Sequence, residues 1–268
     1  MTSPLLERKS IRTTALVAAG LVLLGWLIYT PAGLLGKADA VGYAVCHRID
    51  LRSFHLGGRA ISLCARCTGM YLGAMLGLAF QGITAPRRGG NPPKKMIALL
   101  ALITLAFGLD GLNSMSNLIP GFPSLYTTTN PIRIFLGTGF GIVMAAAVYP
   151  AFNQTMWKDW EPEPALGGAR PLGRLLLLGA GVALLALTEN PLILYPLALI
   201  SAGGVLALLT IIYAMMALIL LKSENQFDHW RHLAVPLLLG FTVALLQIAG
   251  MDLVRFLIFG TWDGFHIG

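Results

Sequence analysis

Charged residues are scarce in this sequence. Only 12% of its 268 residues carry a charge, while 56% are hydrophobic; in an average soluble domain about a quarter of the residues are charged. Apolar runs recur along the chain, and they have roughly the 17 to 25 residues that a helix needs to cross a bilayer. The composition excludes an ordinary soluble domain and predicts an all-α, polytopic integral membrane helix bundle.

Several sequence motifs of catalysis are missing as well. The chain has no glycine-rich nucleotide-binding loop and no HExxH helix, and no Ser-His-Asp order stands out, which excludes the usual ATPases and zinc proteases. Most of its 19 lysine and arginine residues lie where they would set membrane topology. The net charge of +7 therefore does not indicate a nucleic-acid partner.

About seven transmembrane helices are predicted from the apolar runs. The short break at 188–192 leaves open a single re-entrant element in place of the fifth and sixth spans. Lysine and arginine concentrate before the first span and in alternate loops, so we predict an N-inside, C-outside topology. The loop at 34–66 is the exception to this rule, because the order of the spans places its five basic residues outside. The predicted spans are 13–33, 67–84, 96–114, 131–152, 174–188, 193–221 and 233–260.

The order of the spans divides the chain into two parts. Residues 1–152 form a predicted four-helix module, and residues 174–268 form a three-helix extension. A polar linker at 153–173 joins them on the cytoplasmic side. The cysteine-rich loop at 34–66 is then extracytoplasmic, and the predicted location is the cell membrane.

All three cysteines and two of the five histidines lie within residues 46–67. Cys64 and Cys67 are about one helical turn apart at the start of the second span, where backbone donors and the helix dipole favour thiolate. Thiolate and imidazole are ligands that zinc prefers, so we predict a site for zinc or a similar transition metal at Cys46, His47, Cys64 and Cys67. Because the adjacent Cys46 and His47 can chelate only with strain, His55 is an alternative ligand to His47.

Other interpretations of the cysteines stay open. A closed metal site would be a structural staple for the loop, and two cysteines on an oxidising face would form a disulfide. Cys64 and Cys67 also have the spacing of a redox dithiol, with Cys46 as a shuttle. C-type haem is disfavoured because Thr68, and not a histidine, follows Cys67.

A second group of polar residues lies near the outer end of the predicted bundle. Asp110, Asn113 and Asn117 recur at spacings of three and four, so they share one helix face, and Arg133 begins the fourth span on the same side. Intramembrane ionisable residues are usually functional, so we predict these four as the catalytic residues of a polar pocket beneath the cysteine loop. The simpler alternative is that Asp110 and Arg133 only neutralise each other.

Basic side chains in the outer loop indicate an anionic ligand. Guanidinium groups bind phosphate and carboxylate through two parallel hydrogen bonds, and a lipid head group is the nearest such anion. The predicted partners are membrane lipid, an anionic or lipid-linked small molecule, and partner subunits of a membrane complex. The predicted substrate-binding residues are Arg48, Arg52, Ser53, His55 and Arg66.

The order Cys-His at 46–47, Arg-Ser-Phe at 52–54 and Cys-Ala-Arg-Cys-Thr-Gly at 64–69 resembles an uncharacterised prokaryotic membrane-protein family, domain of unknown function 2085. The similarity covers roughly residues 40–145, including Asp110 and Arg133. Asp50 stands where the family pattern has a proline. The resemblance implies a four-helix module with a cysteine-rich outer loop, and it implies no reaction.

Three functions are compatible with these patterns. The first is a metal-containing membrane protein that binds or processes an anionic, lipid-linked substrate, and it uses most of the unusual residues. The second is a membrane thiol-disulfide redox protein that uses Cys64 and Cys67. The third is a non-enzymatic transporter or an accessory subunit in which the cysteines only hold the loop.

Glycines recur every four residues in two of the predicted spans. Gly69, Gly73 and Gly77 lie in the second span, and Gly137 and Gly141 lie in the fourth. Small residues at this period let helix backbones approach closely in a membrane. We therefore predict close helix packing at these two stripes.

Overall fold

The computed structural model describes residues 9–119 and 123–264 and is 73% helical. Within these ranges, strand β1 (Ser53–Leu56) pairs antiparallel with β2 (Arg59–Cys64), and β3 (Arg88–Gly90) pairs parallel with β4 (Glu161–Pro164). The α-helices of the described ranges are α1 (Lys9–Tyr29), α2 (Gly33–Val45), α3 (Ala65–Thr84), α4 (Lys94–Ser116), α5 (Asn130–Met156), α6 (Ala169–Leu187), α7 (Pro191–Leu220) and α8 (Ala234–Phe259).

Six helices of the described chain are long and apolar enough to cross a membrane, which makes this an all-α helical membrane protein, as predicted. The predicted second span, 67–84, forms α3, but α3 is not among these six. It contains Arg66, Gln81 and several glycines, and many of its residues are buried by other helices. A helix that is enclosed by protein needs fewer large apolar side chains than one that faces lipid. The six candidates are Arg12–Tyr29, Lys94–Ser116, Asn130–Met156, Ala169–Leu187, Pro191–Leu220 and Trp230–Phe259.

Helices α3 and α5 pack with their backbones in close approach. A Cβ atom added at Gly69 would lie 2.4 Å from the carbonyl oxygen of Ile134, and one at Gly73 would lie 2.2 Å from that of Thr138. A Cβ atom at Gly141 would lie 2.0 Å from the carbonyl oxygen of Met70. The glycine stripes therefore form this interface, as predicted, and because the contacts advance together along both helices, α3 and α5 run parallel.

The long helices alternate in direction, so several segments meet at one end of the bundle. Arg66, at the start of α3, contacts Asp110, near the end of α4. We call this end, which carries segment 46–64, the cysteine end. The opposite end holds β3, β4 and a bridge between Trp157 and Phe227. One core cluster at the cysteine end joins α3, α5, α6 and α7 through Ala65, Ile134, Ala186 and Leu194.

The predicted loop at 34–66 is largely regular structure. It consists of α2, a 3-10 turn at Asp50–Arg52 and the hairpin β1–β2. Helix α2 lies directly on the hairpin, since a Cβ atom at Gly42 would be 1.9 Å from the carbonyl oxygen of Ser62. At 13 residues α2 is too short to span a bilayer. The charged residues of this segment predicted a loop, and they did not predict that a helix would be buried on the hairpin.

Two other predicted connections also take definite form. Helices α6 and α7 are separate helices joined by a tight turn, in which Glu189 adopts a positive φ of 47° and Asn190 caps α7 by accepting a hydrogen bond from the backbone N–H of Leu192. The predicted linker at 153–173 is shorter than expected, because α5 continues to Met156, β4 pairs with β3, and α6 begins at Ala169.

Candidate metal centre and arginine cluster

Three potential metal ligands meet at the cysteine end. The ligand atoms of Cys46, His47 and Cys64, one from each residue, all lie within 4.8 Å of one another. Cys46 directly follows α2, and Cys64 ends β2 and directly precedes α3. The backbone N–H of Cys64 donates to Sγ of Cys46 at 3.3 Å. The fold of the segment between them therefore brings these two sulfur atoms together.

The third cysteine joins the other two through hydrogen bonds between thiols. Cys67 lies in the first turn of α3, outside the 4.8 Å group, and all three cysteines are free thiols. Hydrogen bonds from Cys64 and then Cys67 lower the pKa of Cys46 well below its usual value, despite its burial. The bond to Cys46 is also the main cause that raises the pKa of Cys64 to about 12. The three sulfur atoms thus favour one thiolate, at Cys46.

His47 is neutral, and its ring is already engaged. Burial lowers the pKa of His47, and nearby guanidinium groups lower it further. Its Nδ1 accepts a hydrogen bond from the backbone N–H of Ile49 at 3.0 Å. Because a neutral imidazole has one free lone pair, His47 can bind a metal ion only if this hydrogen bond is released.

The structure separates two predicted residues from the cysteine cluster. His55 lies on β1, where its Nε2 is 3.1 Å from Oδ1 of Asp50 and its backbone N–H donates to Glu189 at 2.7 Å. Ser53 donates its hydroxyl proton to the carbonyl oxygen of Ile49 at 3.0 Å. Both residues therefore fix the hairpin, and His55 is not placed as a substitute for His47.

Arg48 is likewise committed elsewhere. Asp39 of α2 pairs with Arg48 at 3.1 Å and with Arg59 of β2, and it accepts a hydrogen bond from the hydroxyl of Ser62 at 3.0 Å. Arg48 also donates to the carbonyl oxygen of Trp262 at 2.9 Å. These contacts tie α2, the hairpin and the C-terminal segment together, so Arg48 and Arg59 have a carboxylate partner already.

The other predicted arginines converge beside the cysteines. Arg52 donates to the carbonyl oxygen of Ser114 at 2.9 Å, and Ser114 lies one turn after Asp110, the partner of Arg66. Arg133 lies one turn before Gly137, where an added Cβ atom would be 2.2 Å from the carbonyl oxygen of Arg66. Burial lowers the pKa of Arg52, and the charge of Arg66 lowers it further. Arg52 is 8% exposed and Arg133 is 7% exposed. These arginines lie on three different elements, so their proximity could not be predicted from spacing along the chain.

Asp110 is the carboxylate that contacts this arginine cluster. It is 1% exposed; Arg66 pairs with its Oδ2, and the hydroxyl of Tyr126 donates to its Oδ1 at 2.8 Å. Burial and this hydrogen bond raise the pKa of Tyr126. The expected alternative pair of Asp110 and Arg133 is replaced, because Arg66 at the first turn of α3 faces the end of α4, while Arg133 donates to Oδ1 of Asn130 at 2.9 Å.

Asn113 and Asn117 hold the segment that carries Tyr126. The side-chain amides of both residues donate to the carbonyl oxygen of Tyr126, at 2.8 and 3.1 Å, and Oδ1 of Asn113 accepts from the backbone N–H of Leu125 at 2.8 Å. The side chains of Asn113 and Asn117 therefore bind the segment that connects α4 to α5. In the structure these two residues position Tyr126, and through it they contact Asp110.

Sequence reasoning missed the contribution of α8 to this site. Arg255 donates to the carbonyl oxygens of Cys46 at 2.6 Å and His47 at 3.5 Å, and its guanidinium carbon lies 4.1 Å from the centre of the Tyr43 ring. One turn earlier, Asp252 is 4% exposed. Asp252 and Arg255 are charged residues in an apolar span, which indicates a functional role. Their spacing does not indicate that Arg255 contacts Cys46.

The donor set fits a transition metal. Thiolates and a neutral imidazole are the ligands that zinc prefers, and Cys46 and Cys64 are enclosed in an apolar core that includes Val205, Leu245 and Ile248. The hydrogen bond from the Cys64 backbone to Sγ of Cys46 is of the kind that orients and tunes a metal-bound thiolate. For His47 to bind a metal ion, its hydrogen bond with the backbone N–H of Ile49 must be released.

Comparison with known proteins shows that the cysteine and arginine segments are similar to one family. Residues 46–147 match the family described as "Predicted membrane protein (DUF2085)". This confirms the resemblance seen at residues 40–145. The DUF2085 region begins at Cys46 and contains Cys64, Cys67, Asp110 and Arg133, whereas the segment with α7 and α8 lies outside it.

The chain also has an archaeal relative. An uncharacterized protein of Methanocaldococcus jannaschii is 27% identical over 122 residues, which cover 46% of this chain and 72% of the relative. No solved structure matches the chain. The family description supports a membrane protein, and neither it nor the relative assigns a reaction.

Proposed function

We propose that this membrane protein holds one zinc-like ion at its cysteine end and binds an anionic, lipid-linked substrate next to that ion. The observation that carries the proposal is the meeting of Cys46, His47 and Cys64, whose ligand atoms lie within 4.8 Å of one another. Cys67 supplies the third thiolate, and His47 completes a tetrahedral set once its ring leaves Ile49. A bound zinc ion would stabilise the fold of segment 46–64 and would attract an anion.

The substrate part of the proposal is supported by the charge beside the cysteines. Arg52, Arg66 and Arg133 provide guanidinium groups that bind phosphate or carboxylate bidentately, and Asp110 is in place to accept or donate a proton. Asn113 and Asn117 act through Tyr126 as positioning residues. The polar site and the metal site share Arg66, which lies between Cys64 and Cys67 in the chain.

Metal analysis of the purified full-length protein tests the first half of the proposal. We expect about one zinc ion per chain, and we expect the double variant Cys64→Ser and Cys67→Ser to lose it, because two thiolate ligands are removed. Elemental analysis and a count of free thiols measure the two quantities together. Zinc that persists in the double variant, or a native Cys64–Cys67 disulfide without metal, would contradict a metal centre.

The two histidines of the loop provide a matched pair for the same assay. His47→Ala should weaken zinc binding by at least about 10-fold, because loss of a ligand should cost no less than loss of a residue that only hydrogen-bonds a ligand, whereas His55→Ala should leave zinc content and affinity unchanged. Competition with a chelator measures both. Equal effects of the two substitutions would show that His47 is not a ligand.

We also propose that the cysteine end is extracytoplasmic. The topology rule assigns lysine- and arginine-rich segments to the cytoplasm, and several such residues lie at the opposite end, including Arg87, Arg88 and Lys158. In intact cells a membrane-impermeant thiol reagent should label Leu51→Cys, because residue 51 is 79% exposed. It should not label Lys158→Cys unless the membrane is permeabilised. The reverse pattern would refute the proposed orientation.

A thiol-disulfide redox function is the second candidate, and the mutual contact of three free thiols favours it. Oxidation of Cys64 and Cys67 would form one S–S bond and release two protons and two electrons, which a quinone takes up to become a quinol. A metal-free preparation that loses two thiols on addition of a soluble quinone would favour this function over the metal centre.

A further inference from the structure

We propose that Arg52, Arg66 and Arg133 form a binding site for the phosphate group of a long-chain phosphate, whose hydrocarbon chain lies in a groove between α4 and α5. This inference rests on the proposed function, since it names the class of the anionic, lipid-linked ligand. It does not depend on the metal ion. The three arginines come from three different elements, the 3-10 turn, α3 and α5.

The charges of the cluster do not balance within the described protein. Arg52 and Arg66 both contact the end of α4, at Ser114 and Asp110, and Arg133 lies one turn before Gly137, which packs on the backbone of Arg66. Among the described residues, Asp110 is the carboxylate that pairs with this cluster, through Arg66. Two positive charges therefore remain, and even a thiolate at Cys46 would offset only one of them. Burying unpaired charge is strongly unfavourable. A phosphate monoester carries about 1.5 to 2 negative charges at pH 7, which matches the excess.

Hydrogen-bond donors are also left over at this place. Among the described residues, the buried Nε atoms of Arg66 and Arg133 have no hydrogen-bond partner, and Arg133 is 7% exposed. A buried donor without an acceptor is costly. Phosphate oxygens accept hydrogen bonds from several guanidinium groups at once, so one anion would satisfy both the charge and the donors.

The other arginines of the cysteine end do not share this deficit. Arg48 and Arg59 both pair with Asp39, and Arg48 also donates to the carbonyl oxygen of Trp262. The phosphate site thus differs from the set of basic loop residues that the sequence predicted as substrate-binding. It includes Arg133 of α5, and it excludes Arg48.

An apolar groove lies between α4, the segment that carries Tyr126, and α5. The groove has a volume of about 500 Å³ between α4 and α5, and its walls include Leu109, Leu112 and Leu136. Its polar end is formed by Asn113 and Tyr126.

One chain of contacts connects this end of the groove to the arginines. The hydroxyl of Tyr126 donates to Asp110, which pairs with Arg66. A hydrocarbon chain in the groove would therefore end at Tyr126, with Asp110 between it and Arg66, which favours an amphiphile over a fully hydrated anion.

Ligand binding to the full-length protein in nanodiscs tests this site. The probes are inorganic phosphate, dodecyl phosphate and dodecyl trimethylammonium, each titrated by calorimetry. We expect dodecyl phosphate to bind at least 10-fold more tightly than inorganic phosphate, and the cationic amphiphile not to bind at this site. Equal affinity for the two phosphates would assign the free anion and overturn the role of the groove. Equal affinity for the two amphiphiles would overturn the role of the arginines.

Substitutions locate the binding. Arg133→Gln should lower the affinity for both phosphates at least 10-fold, whereas Arg59→Gln, which removes an arginine already paired with Asp39, should not. Leu109→Trp should fill the groove and weaken only dodecyl phosphate, while Leu184→Trp, on an exposed position of α6, should change nothing. Leu109 is 58% exposed, so this variant is informative even if Arg133→Gln does not fold. Wild-type affinity in either Arg133→Gln or Leu109→Trp would overturn the proposal.

Zinc content measured on the same samples separates this inference from the proposed metal centre. We expect Arg133→Gln to keep its zinc while it loses phosphate affinity. A preparation without zinc that still binds dodecyl phosphate through Arg133 would reject the metal centre and retain the phosphate site. A preparation that keeps zinc and binds neither inorganic phosphate nor dodecyl phosphate would reject the phosphate site and retain the metal centre.

Discussion

Gly141→Ala is expected to destabilise the protein strongly. The new methyl group would lie 2.0 Å from the carbonyl oxygen of Met70 and 2.7 Å from the backbone nitrogen of Ala74, and neither backbone atom can rotate away. Helices α3 and α5 would have to separate along the interface that carries Arg66 and Gly137. Overpacking of a close-packed interior costs about 1 to 3 kcal/mol and sometimes more, and we expect the upper end of this range.

Gly108→Ala is the matched control for this substitution. Gly108 also lies within a long helix, α4, but a Cβ atom there would meet nothing within 4 Å. Alanine is favoured over glycine in a helix by about 1 kcal/mol, so the control should be neutral or slightly stabilising. Thermal unfolding in detergent can be followed with a thiol-reactive dye, because Cys46 and Cys64 are buried when folded. Equal melting temperatures for the two variants would refute close packing of α3 on α5.

Asp110→Asn is the second substitution from which we expect a large effect. It removes the carboxylate that, among the described residues, pairs with the arginine cluster, and it leaves the partly buried Arg66 beside Arg52 and Arg133 without an opposite charge. Breaking a buried ion pair by removing one partner costs about 3 to 5 kcal/mol. At about 2 to 4 °C per kcal/mol for a chain of this size, the melting temperature should fall by about 10 °C.

An exposed pair in the same segment provides the comparison. Asp50 contacts His55, and its side chain is 73% exposed, so Asp50→Asn should change stability by no more than about 1 kcal/mol. The same dye assay measures both variants. If Asp110→Asn melts within a degree or two of Asp50→Asn, Asp110 does not balance the arginines, and the charge argument for a bound phosphate loses its basis.

The sequence by itself determined the features that depend on composition and on spacing within one element. A low charge content and repeated apolar runs require membrane helices. Glycines four residues apart lie on one helix face whatever surrounds the helix, so the stripe from Gly69 to Gly77 and that from Gly137 to Gly141 could be predicted as packing surfaces. Cys64 and Cys67 lie where an apolar run begins, so their position at the start of a helix could be predicted as well.

Only the tertiary structure decided which groups meet across elements. The spacing of Asp110, Asn113 and Asn117 defines a helix face, but whether that face meets Arg133 or Arg66 depends on how α3, α4 and α5 are rotated against one another. Arg255 reaches the carbonyl oxygen of Cys46 from more than 200 positions away along the chain. Local periodicity fixes directions within a helix, whereas partners between helices follow from the packing of whole surfaces, and that packing is a property of the folded chain.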